Sequence, residues 1–102
     1  MPESIDVSVI VPTWKAAAFI ERAIQSALAS NAVNVEVVAV DDASPDATFS
    51  VLNQLAAKYP HVTAHQLSKN SGPSAARNLA IATARGRYVA ILDADDTMRP
   101  ER

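Results

Sequence analysis

Four short runs of apolar and β-branched residues punctuate the chain: "DVSVIVP" (Asp6–Pro12), "NVEVVAV" (Asn34–Val40), "VTAHQL" (Val62–Leu67) and "RYVAIL" (Arg87–Leu92). The first, second and fourth are apolar at nearly every position, the pattern of strands buried on both faces. Between them the period changes to that of helices. In "AAAFIERAIQSALAS" the residues Phe19, Ile20, Ala23, Ile24, Ala27 and Leu28 share one helix face. "SPDATFSVLNQLAAKY" places Ser44 as an N-cap and Pro45 at the first helical position, with Val51, Leu52, Leu55, Ala56 and Tyr59 as its apolar stripe. "PSAARNLAIATARG" carries Ala76, Leu79, Ala80 and Thr83 on one side and Gly86 where a C-cap glycine belongs. The order β-α-β-α-β-α-β predicts a single three-layer α/β/α unit over residues 1–102, a Rossmann-like open parallel sheet of about four strands with right-handed crossovers.

Ligands of such sheets bind outside the carboxyl ends of the strands. The polar residues that follow the runs are Pro12-Thr13-Trp14-Lys15, Asp41-Asp42-Ala43-Ser44, Ser68 to Pro73, and Asp93-Ala94-Asp95-Asp96. Carboxylates gathered on one edge raise one another's pKa unless a cation joins them. Oxygen ligands without cysteine favour a hard ion, Mg²⁺ or Mn²⁺, shared with substrate phosphates. The two glycines of the chain cannot form a G-x-G-x-x-G, which argues against a nicotinamide or flavin site, and the absence of G-x-x-x-x-G-K-[ST] excludes a P-loop.

Composition narrows this further. The 102 residues are 49% hydrophobic and 20% charged, enough for one small core. A formal charge of −2 argues against nucleic-acid binding through a basic surface. Without cysteine there is no disulfide. No apolar run reaches the roughly 18–20 residues of a membrane span, and "MPESIDVSV" lacks the features of a secretory signal, so a cytoplasmic location is expected, at the inner face of the membrane if at a membrane at all.

Taken together, "VSVIVPTWK", "VVAVDDASPDAT", "NSGPSAARN" and "GRYVAILDADD" resemble, in order, the four blocks of the N-terminal, nucleotide-sugar-binding half of a family 2 glycosyltransferase with the GT-A fold. The resemblance covers nearly the whole chain. It implies transfer of a sugar, with inversion, from a nucleotide-diphosphate donor, a UDP-sugar foremost, to a glycan or lipid-linked acceptor in bacterial polysaccharide or cell-surface glycan synthesis. By position it implies that Pro12 and Thr13 line the nucleotide pocket, that Asp42 contacts the base with Asp41 beside it, and that Arg77 lies near the base or the acidic cluster. Asp93 would face the ribose or a metal-bound water, and Asp95 would ligate Mn²⁺ or Mg²⁺ directly. Trp14 stands where the family has tyrosine, and Lys15 where it has asparagine. The family's acceptor half and catalytic base would follow the D-x-D, so the resemblance implies a truncated fold that binds donor and does not transfer sugar. Self-association through the uncovered sheet edge is expected.

Rival readings remain at this point. "DADDT" also satisfies the D-x-D-x-T motif of haloacid-dehalogenase-type phosphatases, although that motif ends the first strand of its domain. A response-regulator receiver also pairs acids with Mg²⁺, again after its first strand. A non-catalytic nucleotide-binding module is the third alternative. Asp41 and Asp42 could equally serve the loop before a helix, Arg77 a surface ion pair, and Gly72 a simple turn. His61 and His65 are expected to have no catalytic role.

Overall fold

The computed structural model describes residues 5–29 and 34–92. In chain order the elements are β1 (Val7–Thr13), α1 (Ile20–Leu28), β2 (Val35–Asp41), α2 (Thr48–Lys58), β3 (Val62–Gln66), α3 (Pro73–Thr83) and β4 (Tyr88–Ile91). All pairings are parallel and the sheet order is β3-β2-β1-β4. The chain thus winds from β1 outward to β3, then crosses back over the sheet to β4. That reversal makes the end of β1 the switch point where ligands of such sheets bind.

Successive strand residues face opposite sides, so each central strand feeds two cores. Val9, Val11, Val37, Ala39 and Val62 pack against Ile20, Ala23, Ile24 and Ala27 of α1 and Leu52 and Leu55 of α2. Ile10, Val38 and Val40 pack on the other face against Ala76 and Ala80 of α3. The alanines let α3 lie close to the sheet, above β1 and β2.

Several boundaries differ from the sequence expectation, each for a physical reason. Strand β1 continues through Pro12 to Thr13, in register with Val40 and Asp41. Ile10 O accepts from Leu92 N, just after β4, and Thr13 O from Asp42 N, just after β2. By that alternation the missing N–H of Pro12 faces β4, so the bond that would follow Leu92 N–H to Ile10 O cannot form, and among the described residues the pairing of β1 with β4 ends at Ile91. Helix α1 begins at Ile20, and Phe19 is 54% exposed rather than part of the buried stripe. Helix α2 begins at Thr48, not Pro45. Ser44 is drawn away to other partners, and Asp46 instead accepts hydrogen bonds from Thr48 N and Thr48 Oγ1. Helix α3 stops at Thr83, so Gly86 is not its cap. A Cβ at Gly86 would lie 2.6 Å from Ser8 N, and that close approach to β1 is why glycine stands there. Finally, β4 is not buried on both faces. It is an edge strand beyond the cover of α3, and Tyr88, Val89 and Ile91 are exposed.

Candidate functional site: a cavity at the carboxyl edge of the sheet

A cavity of about 440 Å³ opens at the switch point, lined by Pro12, Thr13 and Trp14 after β1, Asp42 after β2, Asn70 after β3, and Pro73, Ala76 and Arg77 at the start of α3. Three separate strand ends and one helix therefore contribute to it. Of the residues expected at the site, Pro12, Thr13, Asp42 and Arg77 are brought together here. Asp41 is not among the lining residues. Asp93, Asp95 and Asp96 lie outside the described residues; Leu92, just before them, is buried and donates from its N–H to Ile10 O at 2.9 Å.

The two neighbouring carboxylates diverge because adjacent residues of an extended chain point to opposite faces. Asp41 is fully buried. It accepts from Thr13 Oγ1 at 2.8 Å, Ser44 Oγ at 2.6 Å, Ser44 N at 2.7 Å and Gln66 Nε2 at 3.1 Å. Asp42 faces the α3 side, where it accepts from Ser71 N at 2.7 Å, Gly72 N at 2.9 Å and Asn70 Nδ2 at 3.1 Å. Gly72 has φ 96° and ψ 160°, a conformation essentially reserved to glycine, and it turns the chain from this loop into α3. The expectation that these acids need a cation to relieve repulsion is corrected for Asp41 and Asp42: each is compensated by protein donors. Among the described residues no three His, Asp or Glu side chains converge as a metal site.

Asp42 therefore has two tasks. It ties the Asn70–Gly72 loop down, and it forms part of the cavity wall. Oδ2 takes two of its three donors while Oδ1 takes one, so Oδ1 retains acceptor capacity. The other polar group is Arg77, whose Nε is buried without a hydrogen-bond partner. Arg77 lines the cavity, and its guanidinium is a donor group suited to a carbonyl or phosphate oxygen. Trp14 supplies an aromatic wall, 46% exposed, with Lys15 Nζ 5.3 Å from its ring centroid. The Thr13 hydroxyl is committed to Asp41.

Asn70, Pro73 and Ala76 were not foreseen as lining residues. The "NSGPSAARN" stretch held the signal for all three, because it joins the end of β3 to the first turns of α3. Ser44 and Gln66, which hold Asp41, left no sequence signal. One shifted titration lies nearby: the Thr48 hydroxyl and N–H, with a smaller contribution from Lys15, hold Asp46 below the usual carboxylate range.

An aromatic wall, a carboxylate with spare acceptor capacity and an arginine line one cavity at the switch point of a doubly wound α/β fold, where ligands of such folds bind. Comparison with known proteins narrows the class. The Glycosyl transferase family 2 profile matches residues 8–102, and the chain belongs to this family. The succinoglycan biosynthesis protein ExoO of Rhizobium meliloti (strain 1021) is 50% identical over 97 residues, which are 95% of this chain and 27% of that protein. The crystal structure of S. aureus TarS 1-349 in complex with UDP superposes with a TM-score of 0.84 at 36% identity, covering 95% of this chain and 29% of that one. The mannosyltransferase PcManGT from Pyrobaculum calidifontis, in complex with GDP-Man and Mn²⁺, gives a TM-score of 0.81 at 34% identity, covering 91% and 28%. The chain thus spans between a quarter and a third of the length of these relatives. The fold is that of GT-A glycosyltransferases, and this likeness along the whole chain disfavours the phosphatase reading of "DADDT".

Proposed function

We infer that the cavity binds the nucleoside diphosphate of a sugar donor, and that the chain serves inverting sugar transfer to a glycan or lipid-linked acceptor in bacterial surface-polysaccharide synthesis at the cytoplasmic side of the membrane. The observation that carries this reading is the convergence of Trp14, Asp42 and Arg77 on one cavity at the switch point. Asp42 Oδ1 would accept an N–H of the base, the walls of Pro12, Thr13 and Trp14 would hold its ring, and Arg77 would donate to the base or a phosphate oxygen. The related structures in complex with UDP and with GDP-Man support a nucleotide ligand of this kind.

Asp93 and Asp95 would hold a Mn²⁺ or Mg²⁺ ion. The donor chemistry fits, because these are hard oxygen ligands, and among the described residues no three His, Asp or Glu side chains converge as a metal site. When bound, the ion would stabilise the departing diphosphate as a Lewis acid. We assign no catalytic base to residues 1–102, and donor binding without transfer is the activity proposed for this length of chain.

Thermal unfolding with UDP or GDP, with and without Mn²⁺, tests the reading. Ligand at 100 times its Kd stabilises by about 2.7 kcal/mol, a readily measured rise in midpoint. Asp95→Ala should remove the Mn²⁺-dependent part of the rise and leave the metal-free midpoint unchanged. A midpoint that neither nucleotide moves overturns the proposal.

A further inference from the structure

Beside the cavity, two residues adopt a backbone conformation that side chains disfavour. Lys15 has φ 51° and Ala43 has φ 56°. In this left-handed region Cβ crowds the following carbonyl, so such residues persist only where their surroundings hold them. For Lys15 the holding group is Ser44, whose Oγ accepts from Lys15 N at 3.0 Å. Ser44 is itself fixed to Asp41 by both its N–H and its hydroxyl. The same Asp41 holds Thr13, and the next residue, Ala16, donates from its N–H to Thr48 Oγ1 at 2.9 Å. Trp14 is thus suspended between Thr13, anchored to the last residue of β2, and Lys15, anchored to Ser44 just after it. Its own ring contacts the cavity and the Lys15 ammonium rather than the core.

We propose that Ser44 is a positioning residue for nucleotide binding: with Asp41 it locks the backbone of Lys15 and so sets Trp14 as the wall of the cavity. This rests on the nucleotide reading above. It gives Ser44 a task other than the helix cap its sequence position suggests, and it gives the buried Asp41 a role that needs no contact with ligand.

Trp14 is the only tryptophan in the chain, so its emission reports on the wall directly. The test compares the full 102-residue chain with Ser44→Ala and Ser44→Thr. Acrylamide quenching of Trp14 and titration with UDP and GDP in the presence of Mn²⁺ are measured for each. Ser44→Ala should make Trp14 more quenchable and weaken nucleotide binding roughly threefold to tenfold, the loss expected for one side-chain hydrogen bond. Ser44→Thr, which keeps the hydroxyl, should restore both. If Ser44→Ala does not fold, Ser44→Cys, with its weak donor and acceptor, should show the same changes to a smaller extent. A variant that lowers only the unfolding midpoint, with quenching and nucleotide affinity unchanged, overturns the positioning role. Wild-type chain that binds neither nucleotide overturns the reading of the cavity and this inference with it. Wild-type binding matched by Ser44→Ala overturns this inference alone.

Discussion

Lys15 occupies a backbone conformation that asparagine tolerates better than lysine does. The family resemblance places asparagine at this position, and the left-handed φ supplies the physical reason for that preference. We therefore expect Lys15→Asn to stabilise the chain. Relief of a left-handed residue is worth up to roughly 1–2 kcal/mol, against about 0.5–1 kcal/mol for the exposed contact of Lys15 with Trp14. The net gain should be about 0.5 kcal/mol, seen as a higher urea midpoint with an unchanged slope. A lower midpoint would show that the ammonium–indole contact outweighs the backbone. At this scale the sequence revealed residue types at strand ends but not their partners. Alternation along β2 places Asp41 and Asp42 on opposite faces. Nothing in the chain's pattern announces that Ser71 and Gly72 will donate to Asp42 from 29 and 30 residues away.

Among the elements, the start of β1, the start of β2 and the turn after α3 are joined by one buried carboxylate. Glu36 accepts from Ser8 Oγ at 2.6 Å and Arg85 N at 2.7 Å, with the Arg85 guanidinium 3.3 Å from its other oxygen. Gly86 N donates to Ser8 Oγ at 2.8 Å and completes the junction that leads the chain into β4. Burial pushes the Glu36 pKa up, but the bonds from Ser8 and Arg85 outweigh it and hold the group below its ordinary value of 4.5. The Arg85 side chain is 70% exposed, so water screens the ion pair and the two short bonds carry most of the effect. A lowered folded pKa means stability that is present above 4.5 and is lost as the pH falls through the folded value. Glu36→Gln should therefore cost roughly 1–3 kcal/mol at neutral pH, and the gap from wild type should close as the pH drops below 4.5. Chemical denaturation of both proteins across that range checks it, and a gap independent of pH would contradict the ionised pairing. This junction also explains why Gly86 misled the sequence reading. A glycine soon after a helical pattern reads as a cap, whereas here its hydrogen atom makes room for Ser8, a residue 78 positions away.

For the whole molecule, alternation of strands and helices was enough to predict a parallel three-layer sheet, and the central strands are as buried as their apolar runs imply. The same pattern misplaced β4, because an apolar run records what a strand can bury and not how many neighbours it has. In the order β3-β2-β1-β4 this strand pairs only with β1 among the described residues. Val89 and Ile91 align with Ser8 and Ile10 on the α3 face, yet α3 lies over β1 and β2 and leaves them 46% and 51% exposed. Tyr88, on the opposite face, is 66% exposed. A strand at the edge of the described sheet with apolar side chains on both faces is a template for pairing with a second copy of the same edge. We expect the 102-residue chain to associate with itself in a concentration-dependent way in sedimentation experiments. Ile91→Lys, which sets a charge on that edge, should shift the chain toward monomer while changing stability by no more than about 0.5 kcal/mol, as at other exposed positions. Wild-type chain that stays monomeric at the highest attainable concentration would show that this edge does not pair. Equal association by the variant would place the contact on another surface.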